Sequence, residues 1–253
     1  MTYRAPVNEI MLSMAHNAGL HQAIKSGLYA DMDADSLRAI LEEAGKFAAD
    51  ILAPLNQTGD SNPVKLGPNG VETAPGWRNA YAKFVEGGWS TVSGSPDHGG
   101  MGLPEVVAAA ITEMWNSANV AFGLCPLLSI GAIHALEAHG SQALQGQYLE
   151  KLISGQWTGT MNLTEPNAGS DLSPMRTKAE RVGDGSYKIT GQKIYITYGD
   201  HDMAENIVHL VLARLPDAPA GTRGISLFLV PKFMVNADGS LGARNDAFCA
   251  SLE

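Results

Sequence analysis

The sequence predicts an α+β fold: an N-terminal all-α domain over residues 1–157, then a middle β-domain of barrel or sandwich-like form over residues 158–253. Three observations predict it. Apolar residues recur at helical spacing to about residue 155 and at strand spacing afterwards. Acidic charge is concentrated in the first part, where residues 1–154 hold 8 basic and 15 acidic side chains against 9 and 11 in residues 155–253. Helices come first and strands second, which separates the chain from an alternating, doubly wound sheet.

The helical elements follow in order. Leu37, Ile40, Leu41, Ala44, Phe47, Ala48, Ile51 and Leu52 form one apolar stripe, with Asp35 as its expected cap and Pro54 as its expected end. Trp77, Ala80, Phe84 and Val85 mark a second helix behind Pro75-Gly76. Pro104 opens a third, with Val107, Ala110, Ile111 and Met114 on one face. Met114 to Leu136 carries no Asp, Glu, Lys or Arg, but its Asn116, Asn119, Gly123, Pro126, Ser129 and Gly131 argue against a membrane span. The expectation there is two buried helices broken near Cys125-Pro126. Ser141 caps a further helix carrying Leu144, Tyr148 and Leu152, which Gly155 terminates.

The strands follow from Thr158–Leu163. Ala179–Val182 and Ser186–Thr190 flank the hairpin turn Gly183-Asp184-Gly185. Gln192–Tyr198 alternates, which predicts a strand with Tyr195 and Thr197 on one face. Ile207–Ala213 and Ile225–Val230 are apolar and β-branched, with a loop at Leu215–Thr222 between them. Ser240–Glu253 reads as the entry to a further strand, and the chain is expected to be a fragment of something longer.

Composition narrows the function. At 45% hydrophobic and 17% charged, the chain can bury a core, which excludes wholesale disorder. A net charge of -9 argues against nucleic-acid binding, which needs a basic face. Cys125 and Cys249 make neither a disulfide framework nor a zinc site, so a cytoplasmic setting is expected; Met1–Pro6 lacks the features of a signal peptide. His134 and His139 lie about 140° apart around a helix and do not face one metal. His98-Gly99-Gly100-Met101-Gly102 is not a dinucleotide fingerprint, and neither a P-loop nor a nucleophile elbow occurs.

Two polar runs remain. Thr164-Glu165-Pro166-Asn167-Ala168-Gly169-Ser170-Asp171 follows a strand; its small residues can expose backbone amides to an anion or a planar ligand, or simply make a turn. Gly191-Gln192-Lys193-Ile194-Tyr195-Ile196-Thr197 sets an aromatic ring beside a hydroxyl, which suits a flat heteroaromatic ligand or an ordinary strand.

Order and spacing add what the single runs lack. Leu163 to Asp171, then Gly191 to Thr197, preceded by the turn Gly99-Gly100-Met101-Gly102-Leu103-Pro104, resembles the acyl-CoA dehydrogenase family over nearly the whole chain. Arg244-Asn245-Asp246 and the extended N-terminus are similar to the bacterial branch that includes methylmercaptopropionyl-CoA dehydrogenases. The resemblance implies FAD as cofactor, an acyl-CoA substrate, electron-transfer flavoprotein as electron acceptor and a homo-oligomer when full length. It implies that Thr197 lies near flavin N5, that Tyr195 packs on the isoalloxazine where the family usually has Trp, and that Thr164 bonds the pyrimidine edge. Gly169 and Ser170 would approach the pyrophosphate, Ser170 also lying near the CoA arm, and Met161 and Leu163 would contact the ring. Asn162 and Pro174 depart from the usual small residues.

The family's catalytic glutamate lies on a C-terminal helical domain, so no catalytic residue is assigned within this chain. Glu165 belongs to the loop motif, and Glu253 has no supporting context. The implied whole-protein activity is α,β-dehydrogenation of an acyl-CoA, with the chain alone inactive. The alternatives are an acyl-CoA oxidase and a non-catalytic acyl-CoA-binding or assembly protein on the same fold.

Overall fold

The computed structural model describes residues 3–29 and 32–252. Glu253 lies outside the described residues. Seven α-helices and nine strands are described in order: α1 Val7–His16, α2 Leu20–Lys25, α3 Ala34–Phe47, α4 Ala53–Ser61, β1 Lys65–Gly67, β2 Gly70–Glu72, α5 Trp77–Glu86, α6 Glu105–His139, α7 Gln142–Ile153, β3 Trp157–Asn162, β4 Lys178–Arg181, β5 Tyr187–Thr190, β6 Asn206–Arg214, β7 Ile225–Pro231, β8 Phe233–Val235 and β9 Leu241–Arg244. The α+β division holds, with the small β1–β2 hairpin as an unanticipated insertion among the helices.

The apolar stripe from Leu37 to Leu52 is helical, but both of its ends differ from expectation. Asp33 rather than Asp35 is the cap, because its extended backbone lets Oδ1 accept the Ser36 amide at 2.7 Å. Pro54 does not end the run. A π-helical turn over Ala48–Leu52 precedes it, the Ala53 amide bonds Ala48 O, and Pro54 then sits in the first turn of α4, where no amide is needed.

The expected break near Cys125-Pro126 is displaced. The span Glu105–His139 is two helices joined across a kink, as expected, but the kink falls earlier, at Asn119 (φ -159°, ψ 89°), and Pro126 lies inside the second of them. Asn119 is completely buried and works in two directions. Its Oδ1 accepts the Phe122 amide at 3.0 Å, capping the second of the two helices. Its Nδ2 donates to Leu52 O at 3.1 Å, in the π-helical turn. One amide thus joins the two irregular places in the helical domain and satisfies polar groups that would otherwise be buried unpaired.

Helix α6 is long and apolar enough to cross a membrane by length and composition, yet half of its most apolar window is buried in the protein. Its first half, through Cys125, belongs to a core built with α1, α3 and α5, where Phe47, Phe84, Trp115 and Phe122 meet largely edge to face. Its second half joins α7, β3 and β6 in another core, with Ile133, Leu136, Tyr148, Leu152, Trp157 and Val208.

The main sheet is mixed and five-stranded. β6 is central: β7 pairs antiparallel along Val208–Arg214, while β3 pairs parallel with Asn206–Val211 and β4 meets Arg214. β4 and β5 form the anticipated hairpin, and β8 and β9 make a separate pair. Among the described residues the strands do not close into a barrel. Gln192–Tyr198 is not a strand either, because Tyr195 (φ 56°) and Tyr198 (φ 52°) take left-handed backbone that interrupts a ladder.

Gly159 sets the distance between sheet and helix. A Cβ there would stand 2.4 Å from Ala132 Cβ of α6, and the Gly159 amide donates to Ser129 Oγ at 3.0 Å. Gly159→Ala should cost about 1–3 kcal/mol by overpacking. Gly131→Ala, where a Cβ meets nothing within 4 Å, should gain up to about 1 kcal/mol from helix propensity. Urea unfolding of the two variants checks both signs.

Candidate functional site

The two polar runs are brought side by side by the sheet. The chain leaves β3 at Asn162, runs out through residues 163–177, and returns to the same edge of β6 as β4. Arg214, at the end of β6, holds the return: its amide bonds Thr177 O at 2.9 Å, and its guanidinium donates to Ser173 O at 2.8 Å and Met175 O at 3.3 Å.

Glu165 closes the base of this excursion. Its side chain is buried, with Oε2 accepting from the Arg176 amide at 2.7 Å and Oε1 from the Thr177 amide at 3.0 Å and the Thr177 hydroxyl. Lys193, also buried, reaches Oε1 at 2.9 Å and donates to Leu163 O at 3.1 Å. The Ile194 amide donates to Thr164 O at 2.9 Å. Lys193 and Ile194 thereby bind the second polar run to the first.

Burial opposes ionisation of Glu165, but the donated bonds from Thr177, Arg176 and Lys193 outweigh it and bring its pKa down to about 2. Burial pushes the Lys193 ammonium down, and the facing carboxylate pulls it back. A carboxylate with four donors and a depressed pKa holds a loop together and is unsuited to take a proton near neutrality.

The residues singled out in the sequence lie around this clamp. Met161 pairs with Leu210 of β6, one position before the ladder ends at Asn162, and Leu163 and Thr164 follow the strand; Met161, Leu163 and Thr164 are all half-buried. Gly169 and Ser170 are exposed at the outer part of the excursion, beyond the Glu165–Ala168 turn. Tyr195 and Thr197 are exposed, while Ile194 and Ile196 between them are half-buried. Among the described residues, the amides of Gly169 and Ser170 and the hydroxyls of Thr164, Ser170 and Thr197 make no hydrogen bond within the chain. A Cβ at Gly169 would meet only Thr164 Cγ2, at 3.9 Å. The arrangement offers unused donors around an open glycine, with an exposed aromatic ring carried on the second polar run.

The glycine turn at Gly99–Gly102 is not part of this arrangement. Its amides at Gly100, Met101 and Gly102 bond to Ser95 O, Thr91 O and Gly94 O, and a Cβ at Gly100 would strike Gly94 O. It is a packed turn that starts α6, with its donors consumed internally.

Several buried polar residues were missed by sequence reasoning. His201 accepts the Met203 amide at Nδ1, so Nε2 carries the ring proton and meets Thr158 Oγ1 at 2.9 Å. His209 Nδ1 meets Thr160 Oγ1 at 2.7 Å. Burial, with Lys232 nearby, pushes both histidines down to about 4, so both are neutral at pH 7. Asp200 pairs with Lys232 at 2.6 Å and accepts the Val71 amide at 3.3 Å; Asp202 accepts from the Thr73 amide and hydroxyl. These contacts dock the turn after Thr197 onto the β1–β2 hairpin and the segment following it. The only sequence signal was their density, Gly199-Asp200-His201-Asp202, between two apolar runs.

Glu165→Gln leaves the Lys193 ammonium buried without a counter-charge and should cost about 3 kcal/mol at pH 7. The Glu165 pKa of about 2 lies below the ordinary 4.5, so its contribution is fully present above pH 4.5 and is lost as the pH falls toward 2. The stability gap between wild type and variant should therefore narrow between pH 4.5 and pH 3 in denaturant titrations.

Comparison with known proteins gives a consistent assignment. The family model of the acyl-CoA dehydrogenase N-terminal domain matches residues 34–156, and that of the acyl-CoA dehydrogenase middle domain matches residues 160–250. A 3-methylmercaptopropionyl-CoA dehydrogenase of Ruegeria pomeroyi is 51% identical over 253 residues, covering all of this chain and 43% of that protein. The chain thus spans less than half the length of this relative. The solved glutaryl-CoA dehydrogenase of Mycobacterium smegmatis has a TM-score of 0.63 at 25% identity, covering 83% of this chain and 50% of its own. A solved FAD complex of PigA has a TM-score of 0.62 at 25% identity, covering 86% and 57%. With both domain models matched in chain order on the helical and strand parts described above, this chain belongs to the acyl-CoA dehydrogenase family.

Proposed function

We propose that the chain forms the helical and β-domain portions of an FAD-dependent acyl-CoA dehydrogenase, divided at residues 157/158. The observation that carries the reading is the set of unused donors at Thr164, Gly169, Ser170 and Thr197, held together by the Glu165–Lys193 clamp. The donor set fits the group. Amides at an open glycine suit a pyrophosphate, hydroxyls suit the polar edge and N5 of a flavin, and the exposed Tyr195 ring supplies a packing surface.

When bound, FAD supplies the redox chemistry, accepting the β-hydride of an acyl-CoA whose α-proton is taken by a carboxylate. This chain's residues bind and orient. Thr164 donates to the pyrimidine edge, Thr197 donates near N5, Gly169 and Ser170 hold the pyrophosphate, and Met161 and Leu163 flank the ring. Ser170 also meets the CoA arm. The base is proposed to lie on a C-terminal helical domain of the whole protein, since Glu165 is already fully engaged by its four donors. On this reading the chain alone does not turn over acyl-CoA. In the whole protein, electrons pass to electron-transfer flavoprotein, the subunits form a homo-oligomer, and the setting is cytoplasmic.

Titration of the chain with FAD, followed by absorbance and fluorescence, tests the proposal. The expected outcome is weak but saturable binding with a perturbed flavin spectrum, weakened about tenfold further by Thr197→Ala, the equivalent of about 1.4 kcal/mol for one lost bond. A Thr197→Ala chain indistinguishable from wild type would remove Thr197 from the site, and sustained oxidation of an acyl-CoA by the chain would contradict a base outside it.

A further inference from the structure

We propose that Tyr198 is a positioning residue that locks the Tyr195–Thr197 segment onto the irregular part of α6, and so sets where Thr197 and Tyr195 stand. The inference rests on the reading that this segment faces flavin.

The argument begins with backbone. Among the described residues, Tyr195 (φ 56°) and Tyr198 (φ 52°) are the non-glycine residues with left-handed backbone. The Gly199 amide bonds Ile196 O at 2.9 Å, which makes Thr197 and Tyr198 the two central residues of a turn. The second central position of such a turn, with positive φ, ordinarily takes Gly or Asn. A tyrosine there is strained, and strained backbone persists where its surroundings over-determine it.

The side chain supplies that determination. The Tyr198 hydroxyl donates to Ala121 O at 2.7 Å and accepts from Trp77 Nε1 at 3.0 Å. Its ring packs edge-on to His201 at 5.8 Å. Ala121 lies two residues past Asn119, where α6 departs from helical geometry, and Trp77 starts α5 in the buried core. Burial raises the phenol well above its usual range, so it stays protonated and remains a donor. One hydroxyl thus fixes the turn to two helices at once, and Thr197 sits between that anchor and Tyr195.

Tyr198→Phe keeps the ring and removes both bonds. Amide hydrogen exchange of the ligand-free chain and FAD titration read separate consequences. The expected result is about tenfold faster exchange confined to residues 194–200, together with a shifted absorbance spectrum of bound FAD and about tenfold weaker binding. Exchange equal to wild type would overturn the anchor. Faster exchange with an unchanged flavin spectrum and affinity would overturn the positioning role and leave only a structural one. Wild-type chain that binds no FAD would instead overturn the flavin reading, and the positioning role with it, even where exchange confirms the anchor. Should Tyr198→Phe fail to fold, Trp77→Phe removes the donated indole bond together with part of a buried ring, and a several-fold change in the same two readouts, beyond the global loss of stability read by urea unfolding, is expected; unchanged readouts would overturn the proposal.

Discussion

The buried carboxylate of Glu165 is the constraint on which the rest of the site depends. A charge taken out of water is tolerated only when its geometry is excellent and its remaining lone pairs are filled. Here two amides, a hydroxyl and an ammonium fill them, three from Arg176 and Thr177 at the end of the excursion and the fourth from Lys193 in the second polar run. The exposed part of the loop can therefore leave its own donors unused. Gly169, Ser170 and Thr164 need no internal partners because the loop is held from below.

The helical domain adds a second layer of restraint. α6 shares one core with α1, α3 and α5 and another with α7, β3 and β6, so the close approach at Gly159 fixes the sheet against a helix already anchored elsewhere. Asp200, Asp202 and Tyr198 then fasten the turn after Thr197 to the β1–β2 hairpin and its neighbours. The Asp200 and Asp202 contacts pair half-buried polar atoms, and leaving one partner unmatched there would cost more than the bond itself contributes.

Much of this was legible in the sequence, for physical reasons that differ from place to place. The stripe at Leu37–Leu52 and the hairpin at Gly183-Asp184-Gly185 follow local rules, and the structure obeys them. Asp33 displaced Asp35 because a cap is defined by its backbone angles, which spacing does not report. Pro54 and Pro126 looked like breaks because a proline removes one amide; the fold absorbed the first with a π-helical turn and carried the second inside a long helix. Alternation at Gln192–Tyr198 suggested a strand, yet the segment turns, because long-range bonds from Tyr198 and Lys193 override the local pattern. The two motifs named the right neighbourhood. Their mutual binding through Glu165, Thr177 and Lys193 needed the fold, since Thr177 belongs to neither run.

The way residues 163–177 leave and rejoin one edge of β6 has a consequence for the order of assembly. β3 has no ladder partner until Asn206–Val211 has been synthesised, and the return strand β4 is indexed to Arg214, at the far end of the same strand. The helices of the first half make their contacts within sequence already available, whereas parallel pairing across so long a separation must wait and is slow to form. During translation the helical core can therefore consolidate around α6 while the loop that bears the unused donors is still unshaped. The site cannot acquire its form before β6, so its appearance reports that the whole of that strand has emerged.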